Sequence, residues 1–224
     1  GYKWNEERDT LSLSQNTFVE KLLSEYEMEN MKRAKTPMAE DFVILPSDIP
    51  DKVDLELKEK CQSLEGSLLF IAMWSRPDIS QATSFLSSFV SNQSEKIYAA
   101  LKRVLRYLKG TVHYGVGYTS DPDKMCWFKT NKLWGYMDSL YADDEINSKS
   151  TMGYCLYLNG RLVSWKTKLS PVIALSTADA EFIAACFTAC KIMFLSKFRS
   201  LRDHVPVPVP RRARIPAGGP YVPV

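Results

Sequence analysis

The stretch Leu133-Trp134-Gly135-Tyr136-Met137-Asp138, followed by a hairpin over 151–166 and then by Ser176-Thr177-Ala178-Asp179-Ala180-Glu181-Phe182, decides how the rest of the chain is read. The first segment alternates as a strand and closes on a carboxylate. In the hairpin, Gly153-Tyr154-Cys155-Leu156-Tyr157-Leu158 and Arg161-Leu162-Val163-Ser164-Trp165 flank Asn159-Gly160, the dipeptide that supplies the two positive φ angles of a primed turn. Ser176 or Thr177 is placed to cap a helix with Asp179 or Glu181 in its first turn, where the helix dipole favours negative charge. A strand acid and a helix acid brought together in this way would suit metal-dependent phosphodiester cleavage.

Working outward, the helix from 177 should bury Phe182, Ala185, Cys186, Ala189, Met193 and Phe194. Cys186 and Cys190 fall one turn apart there and read as packing residues. Pro171 to Leu175 reads as a short strand or arm. Upstream, 115–118 and 125–129 read as strands around Ser120-Asp121-Pro122-Asp123. Before them the period changes from 2 to 3.6. A helix over about 94–109 presents Ile97, Leu101, Val104, Leu105 and Leu108 on one face and Lys96, Lys102, Arg103, Arg106 and Lys109 on the other, with Gly110 as its stop. That basic face reads either as a solvated surface or as a stripe following a phosphate backbone. Ile79, Ala82, Phe85, Leu86 and Phe89 form another amphipathic face after Arg76-Pro77-Asp78. A helix-like segment over 54–62 leads to Gly66, and 67–74 is apolar. Residues 38–53 read as an exposed linker. Near the start, a short strand over 11–15 runs into a helix with Phe18, Val19, Leu22, Leu23 and Tyr26 on one side, capped by Ser14 or Asn16.

Composition sets outer bounds. A chain of 224 residues with 45% hydrophobic and 25% charged content has room for one or two domains. The net charge of +3 does not by itself argue for a nucleic-acid partner. Five cysteines without a Cys-x-x-Cys pair, and only two histidines, argue against structural zinc and for reduced thiols in an intracellular protein. No apolar run approaches the roughly 18 residues of a membrane span, and the charged start is unlike a signal peptide. Gly1 in place of Met suggests a fragment. From His204 the chain turns to Val-Pro repeats and reads as disordered.

Over residues 9–202, the order and spacing of several motifs resemble the C-terminal part of the Pol polyprotein of copia-type retrotransposons. These are Leu13-Ser14-Gln15, Thr36-Pro37, Gly66-Ser67-Leu68-Leu69-Phe70, Arg76-Pro77-Asp78-Ile79, Leu105-Arg106-Tyr107-Leu108-Lys109-Gly110-Thr111, Gly135-Tyr136-Met137-Asp138, Ser150-Thr151-Met152-Gly153-Tyr154, Ser164-Trp165-Lys166, and Leu175 to Ala184. The resemblance implies an α+β or α/β organisation in three parts. Residues 1–112 would be a helical remnant of the reverse-transcriptase thumb and connection. Residues 113–203 would be a truncated ribonuclease H-like fold, a three-stranded antiparallel sheet plus a helix. Residues 204–224 would be a disordered tail. Tyr141-Ala142-Asp143-Asp144 imitates a polymerase tetrad. In the family register, however, Asp138 takes the first acid of an acid-Ala-acid run and Leu140 stands where the second is expected, so Asp143 and Asp144 read as solvated loop acids.

The family cuts the RNA strand of RNA–DNA hybrids with two Mg²⁺ ions held by several carboxylates. The resemblance maps catalytic and metal-binding roles onto Asp138 and Glu181. The acids expected beyond the last helix have no counterpart, so a half site that cuts poorly or not at all is expected. Lys102, Arg103, Arg106, Lys109, Lys149, Lys166 and Lys168 are the candidates for gripping a hybrid without cutting it. Expected partners are the hybrid, the upstream polymerase region of the parent polyprotein, and a second copy through an unpaired sheet edge. No membrane is expected. The expected location is intracellular, in cytoplasmic virus-like particles and the nucleus.

Overall fold

Two three-stranded antiparallel sheets and five α-helices make up the architecture of the computed structural model, which describes residues 1–7, 9–50, 52, 54–89, 91, 94–119, 133–144 and 148–204. The strand expected over 125–129 and the tail from 205 lie outside the described residues. The first sheet is β1 (Tyr2–Trp4), β2 (Thr10–Ser14) and β3 (Gly115–Thr119), in that order. The helices α1 (Asn16–Glu25), α2 (Leu55–Trp74), α3 (Ser80–Ser87) and α4 (Glu95–Gly110) lie between β2 and β3 in sequence. The second sheet is β4 (Leu133–Asp144), β5 (Lys149–Leu158) and β6 (Arg161–Leu169), and α5 (Thr177–His204) packs on it.

The helices form as their apolar spacing dictates. Ile97, Leu101, Val104, Leu105 and Leu108 of α4 are all buried, and the Ser94 hydroxyl caps the helix by accepting from Ile97 N–H. Ile79, Ala82, Leu86 and Phe89 join them, as do Val19, Leu22 and Leu23 of α1. Three readings change. No side chain caps α1, whose N-terminal flank is Gln15. Gly66 does not interrupt α2, which runs as one 20-residue helix from a cap in which Asp54 accepts from the Glu56 and Leu57 N–H groups. Leu64, Leu68 and Ile71 are buried on either side of Gly66, so tertiary packing outweighs its low propensity of about 1 kcal/mol. The segment read as an exposed linker is strapped to the core instead. Ile44 is buried, Met38, Phe42 and Ile49 pack against the helices, and Asp48 pairs with Lys96 at 2.6 Å.

β3 pairs with β2, Leu13 opposite Val116 and Ser14 opposite Gly115. The segment read from sequence with the second unit is therefore hydrogen-bonded to the N-terminal one. Further bonds tie the units: Trp165 Nε1 donates to the Ala72 carbonyl at 2.8 Å, Tyr118 Oη to the Leu162 carbonyl at 3.1 Å, and Arg161 to the Thr119 carbonyl at 3.0 Å.

The hairpin turn has φ of 54° at Asn159 and 75° at Gly160, as its sequence requires. β4 does not end at Asp138. It continues to Asp144 through a register shift between Leu140 and Asp144, with Ala142 at φ 49°. Side chains replace ladder bonds at this bulge: Ala142 N–H donates to Ser150 Oγ, and Thr151 N–H to Asp143 Oδ1 at 2.6 Å. Within the described residues β4 is an edge strand and β5 the central one. Residues 171–176 form an arm, not a strand.

α5 corrects the expected stripe. Phe182 is 68% exposed, and Cys186, Met193 and Phe194 are exposed with it. The face against the sheet carries Ala180, Ala184, Phe187 and Thr188. Small residues here let the helix sit close to Tyr154 and Leu156.

Candidate functional site

Side chains alternate across a strand, and residues opposite one another in a ladder share a face. Tyr154 meets Phe187 of α5 at 5.8 Å between ring centroids, so α5 covers the face that carries Met152, Tyr154 and Leu156. Their partners Ser139, Met137 and Gly135 share it. Asp138, opposite Gly153, belongs to the other face with Tyr136 and Trp165. There it lines a groove of about 190 Å³ with Pro77, Ser80, Tyr136, Trp165 and Thr167. Its carboxylate accepts from the Ser139 N–H at 2.8 Å. Glu181 is exposed on α5. The strand acid thus projects from one face of the sheet, while the helix acid belongs to the helix covering the opposite face.

The neighbouring acids do not bridge this separation. Asp179 is engaged at the helix start: it accepts from Leu175 N–H at 2.9 Å, while Ser176 Oγ accepts from Asp179 N–H at 3.1 Å. Ser176 is therefore the capping residue. Asp143 and Asp144 are not solvated loop acids: Asp143 holds the bulge, and Asp144 is 4% exposed at the strand end. Leu140, where the second family acid is expected, is exposed. Among the described residues no three Asp, Glu, His or Cys side chains come together as metal ligands. A Mg²⁺ pair bridging a phosphate needs several oxygen ligands at about 2.0–2.1 Å. The donor set among the described residues does not fit it.

The basic face of α4 is engaged internally. Arg103 donates to Thr36 Oγ1 at 2.9 Å, Arg106 Nε to the Lys32 carbonyl at 2.6 Å and Lys109 to the Met31 carbonyl at 2.7 Å. Lys102 lies over the Tyr98 ring at 4.3 Å. Two of these bonds satisfy main-chain carbonyls after α1, so the stripe pins a connecting loop. Lys149 is half-buried opposite Asp144. Lys166 and Lys168 lie on the α5 face of β6, opposite Tyr154 and Met152. Lys168 Nζ sits 3.7 Å from the centre of the Phe187 ring. Burial, and after it the ammonium groups of Lys166 and Lys191, lowers the Lys168 amine from its ordinary value.

One group escapes sequence reading altogether. Arg76, only 2% exposed, forms a two-pronged pair with Asp78, with Nε–Oδ1 at 2.9 Å and Nη2–Oδ2 at 2.7 Å. It also donates to the carbonyl and hydroxyl of Thr111 and lies 5.6 Å from the centres of the Tyr107 and Tyr114 rings. Tyr107 Oη donates to Asp78. Burial, with that hydrogen bond and the Asp78 charge, pushes the Tyr107 phenol up to about 12. Arg-Pro-Asp reads locally as a helix boundary; its long-range partners leave no local trace.

No described helix is long and apolar enough to cross a membrane. No family model and no solved structure matches the chain. Curated relatives do match. The Retrovirus-related Pol polyprotein from transposon TNT 1-94 of Nicotiana tabacum is 34% identical over 193 residues, 84% of this chain and 14% of that polyprotein. The corresponding polyprotein from transposon RE1 of Arabidopsis thaliana is 31% identical over 185 residues, 83% of this chain and 12% of its own length. The Secreted RxLR effector protein 161 of Plasmopara viticola is 38% identical over 122 residues, 54% of this chain and 81% of that protein. The chain spans about one seventh of the first polyprotein and less of the second. Matches over more than four fifths of the chain to several such polyproteins make this chain a Pol polyprotein fragment of the retrovirus-related transposon family.

Proposed function

We propose that this chain is the reverse-transcriptase C-terminal segment joined to an incomplete ribonuclease H-like unit, and that it engages RNA–DNA hybrid as part of Pol without cutting it. The observation that carries the reading is the separation of Asp138 and Glu181. One acid belongs to the sheet face turned toward α2 and α3, and the other to the helix on the opposite face. In-line displacement at phosphorus depends on metal ions clamped between converging carboxylates, and no third acid joins either residue among the described residues. The packing of the helical unit against the sheet through Trp165, Tyr118 and Arg161 supports treating the two as one body on nucleic acid.

The test is a labelled RNA–DNA hybrid incubated with the purified chain and Mg²⁺. Cleavage should not rise above the metal-free control, and Asp138→Asn should behave as the parent does. Mg²⁺-dependent cleavage that Asp138→Asn abolishes would contradict the proposal.

A further inference from the structure

Lys168 and Lys191 converge on one aromatic side chain, and Lys166 stands beside Lys168 on the same face of β6. The two strand lysines are separated by one residue on β6 and so share a face. Lys191 comes from α5, one helical turn after Phe187, and its Nζ lies 5.7 Å from the centre of the ring whose centre Lys168 Nζ approaches at 3.7 Å. Phe187 is itself packed on Tyr154, so the ring is fixed between helix and sheet. The charge balance at this point is one-sided. The ion pairs Lys60–Glu56, Arg76–Asp78 and Lys96–Asp48 include none of these three lysines. The ring face offsets part of the repulsion through its quadrupole. A cluster of ammonium groups outside those ion pairs is suited to a multivalent anion.

We infer that Lys168 and Lys191, gathered on Phe187, together with Lys166 beside them on the same face of β6, form the site that holds a nucleic-acid phosphodiester backbone. The inference rests on the proposed reading that the chain engages hybrid, and it places that contact away from α4. The α4 cations already satisfy Thr36 Oγ1 and the Lys32 and Met31 carbonyls. Lysines act on phosphate as point charges without reading bases. The site therefore holds hybrid through its backbone and carries no sequence preference of its own. A phosphodiester chain is favoured over an acidic peptide because its charges repeat regularly along a strand, as the two lysines do along β6.

The experiment measures fluorescence anisotropy of a short labelled RNA–DNA hybrid against the full chain over a salt series. Changing all three lysines to Gln should weaken binding by about tenfold or more near physiological salt and reduce the salt slope by about 2–3, the loss of roughly three phosphate contacts. Changing all three to Arg should restore both. Lys102→Gln with Arg106→Gln should leave the slope unchanged within about 0.5. Circular dichroism melts guard against misfolding, and the Arg variant keeps the inference testable if the Gln variant unfolds. Parent binding with an unchanged slope in the folded Gln variant overturns the inference while leaving the engagement of hybrid standing. Absence of hybrid binding by the parent overturns both. Displacement of hybrid by polyglutamate as effectively as by unlabelled hybrid overturns the assignment to phosphodiester.

Discussion

Arg76→Ala is expected to lower the free energy of unfolding by about 3 kcal/mol, the lower end of the range for removing one member of a buried ion pair. The lower end applies because Asp78 keeps 27% of its side-chain surface exposed and can recover water, whereas the guanidinium at 2% cannot. The loss has three parts. The two-pronged pair to Asp78 goes, the carbonyl and hydroxyl of Thr111 lose their donor, and the space between Tyr107 and Tyr114 empties. These contacts join the turn before α3 to the end of α4 and the approach to β3, so the effect should appear as loss of the whole helical unit. Arg76→Lys should recover only a small part, because an ammonium cannot reproduce the planar fork. Denaturant unfolding followed by circular dichroism measures both. A loss under about 1 kcal/mol for Arg76→Ala would show that Arg76 is not the hub described.

Gly135→Ala is expected to cost about 2–3 kcal/mol and to loosen α5 from the second sheet. A Cβ at this position would lie 2.4 Å from Leu156 Cδ2 and 2.7 Å from the Cys155 carbonyl oxygen. Leu156 is fully buried, so its methyl has little room to turn away, and the carbonyl is fixed by the ladder. The upper part of the overpacking range applies because one of the two atoms is main chain. Hydrogen exchange should show β4 and β5 amides losing protection together while α4 is little changed. Loss confined to α4 would contradict this assignment of where the strain falls.

The helices were the most legible part of the sequence. In α4 a single apolar stripe repeats at 3.6 with charge on every other side, so only one face could be buried. Asn159-Gly160 was equally plain, because few dipeptides supply two positive φ angles. α5 was misread for a physical reason. It is apolar on both sides, and periodicity cannot choose between a stripe of large residues at Phe182, Met193 and Phe194 and one of small residues at Ala180 and Ala184. The sheet selects the small one because it allows close approach. The pairing of β2 with β3 joins segments about a hundred residues apart and leaves no local signal. The candidate site was legible in its acids and not in its geometry. Which face Asp138 takes depends on the register with β5, and a shift of one residue would reverse it. Likewise, a basic stripe looks the same in sequence whether it meets phosphates or, as here, the carbonyls of a neighbouring loop.

The most direct measurement of the central claim is a titration of the isotopically labelled chain with Mn²⁺, a paramagnetic stand-in for Mg²⁺, followed by line broadening at residues 138 and 181. With Asp138 on one face of the sheet and Glu181 on the helix that covers the other, both signals should broaden weakly, without saturation, and no more than those of other exposed acids. Joint, saturable broadening of both at near-stoichiometric Mn²⁺ would place one ion between them and contradict the account.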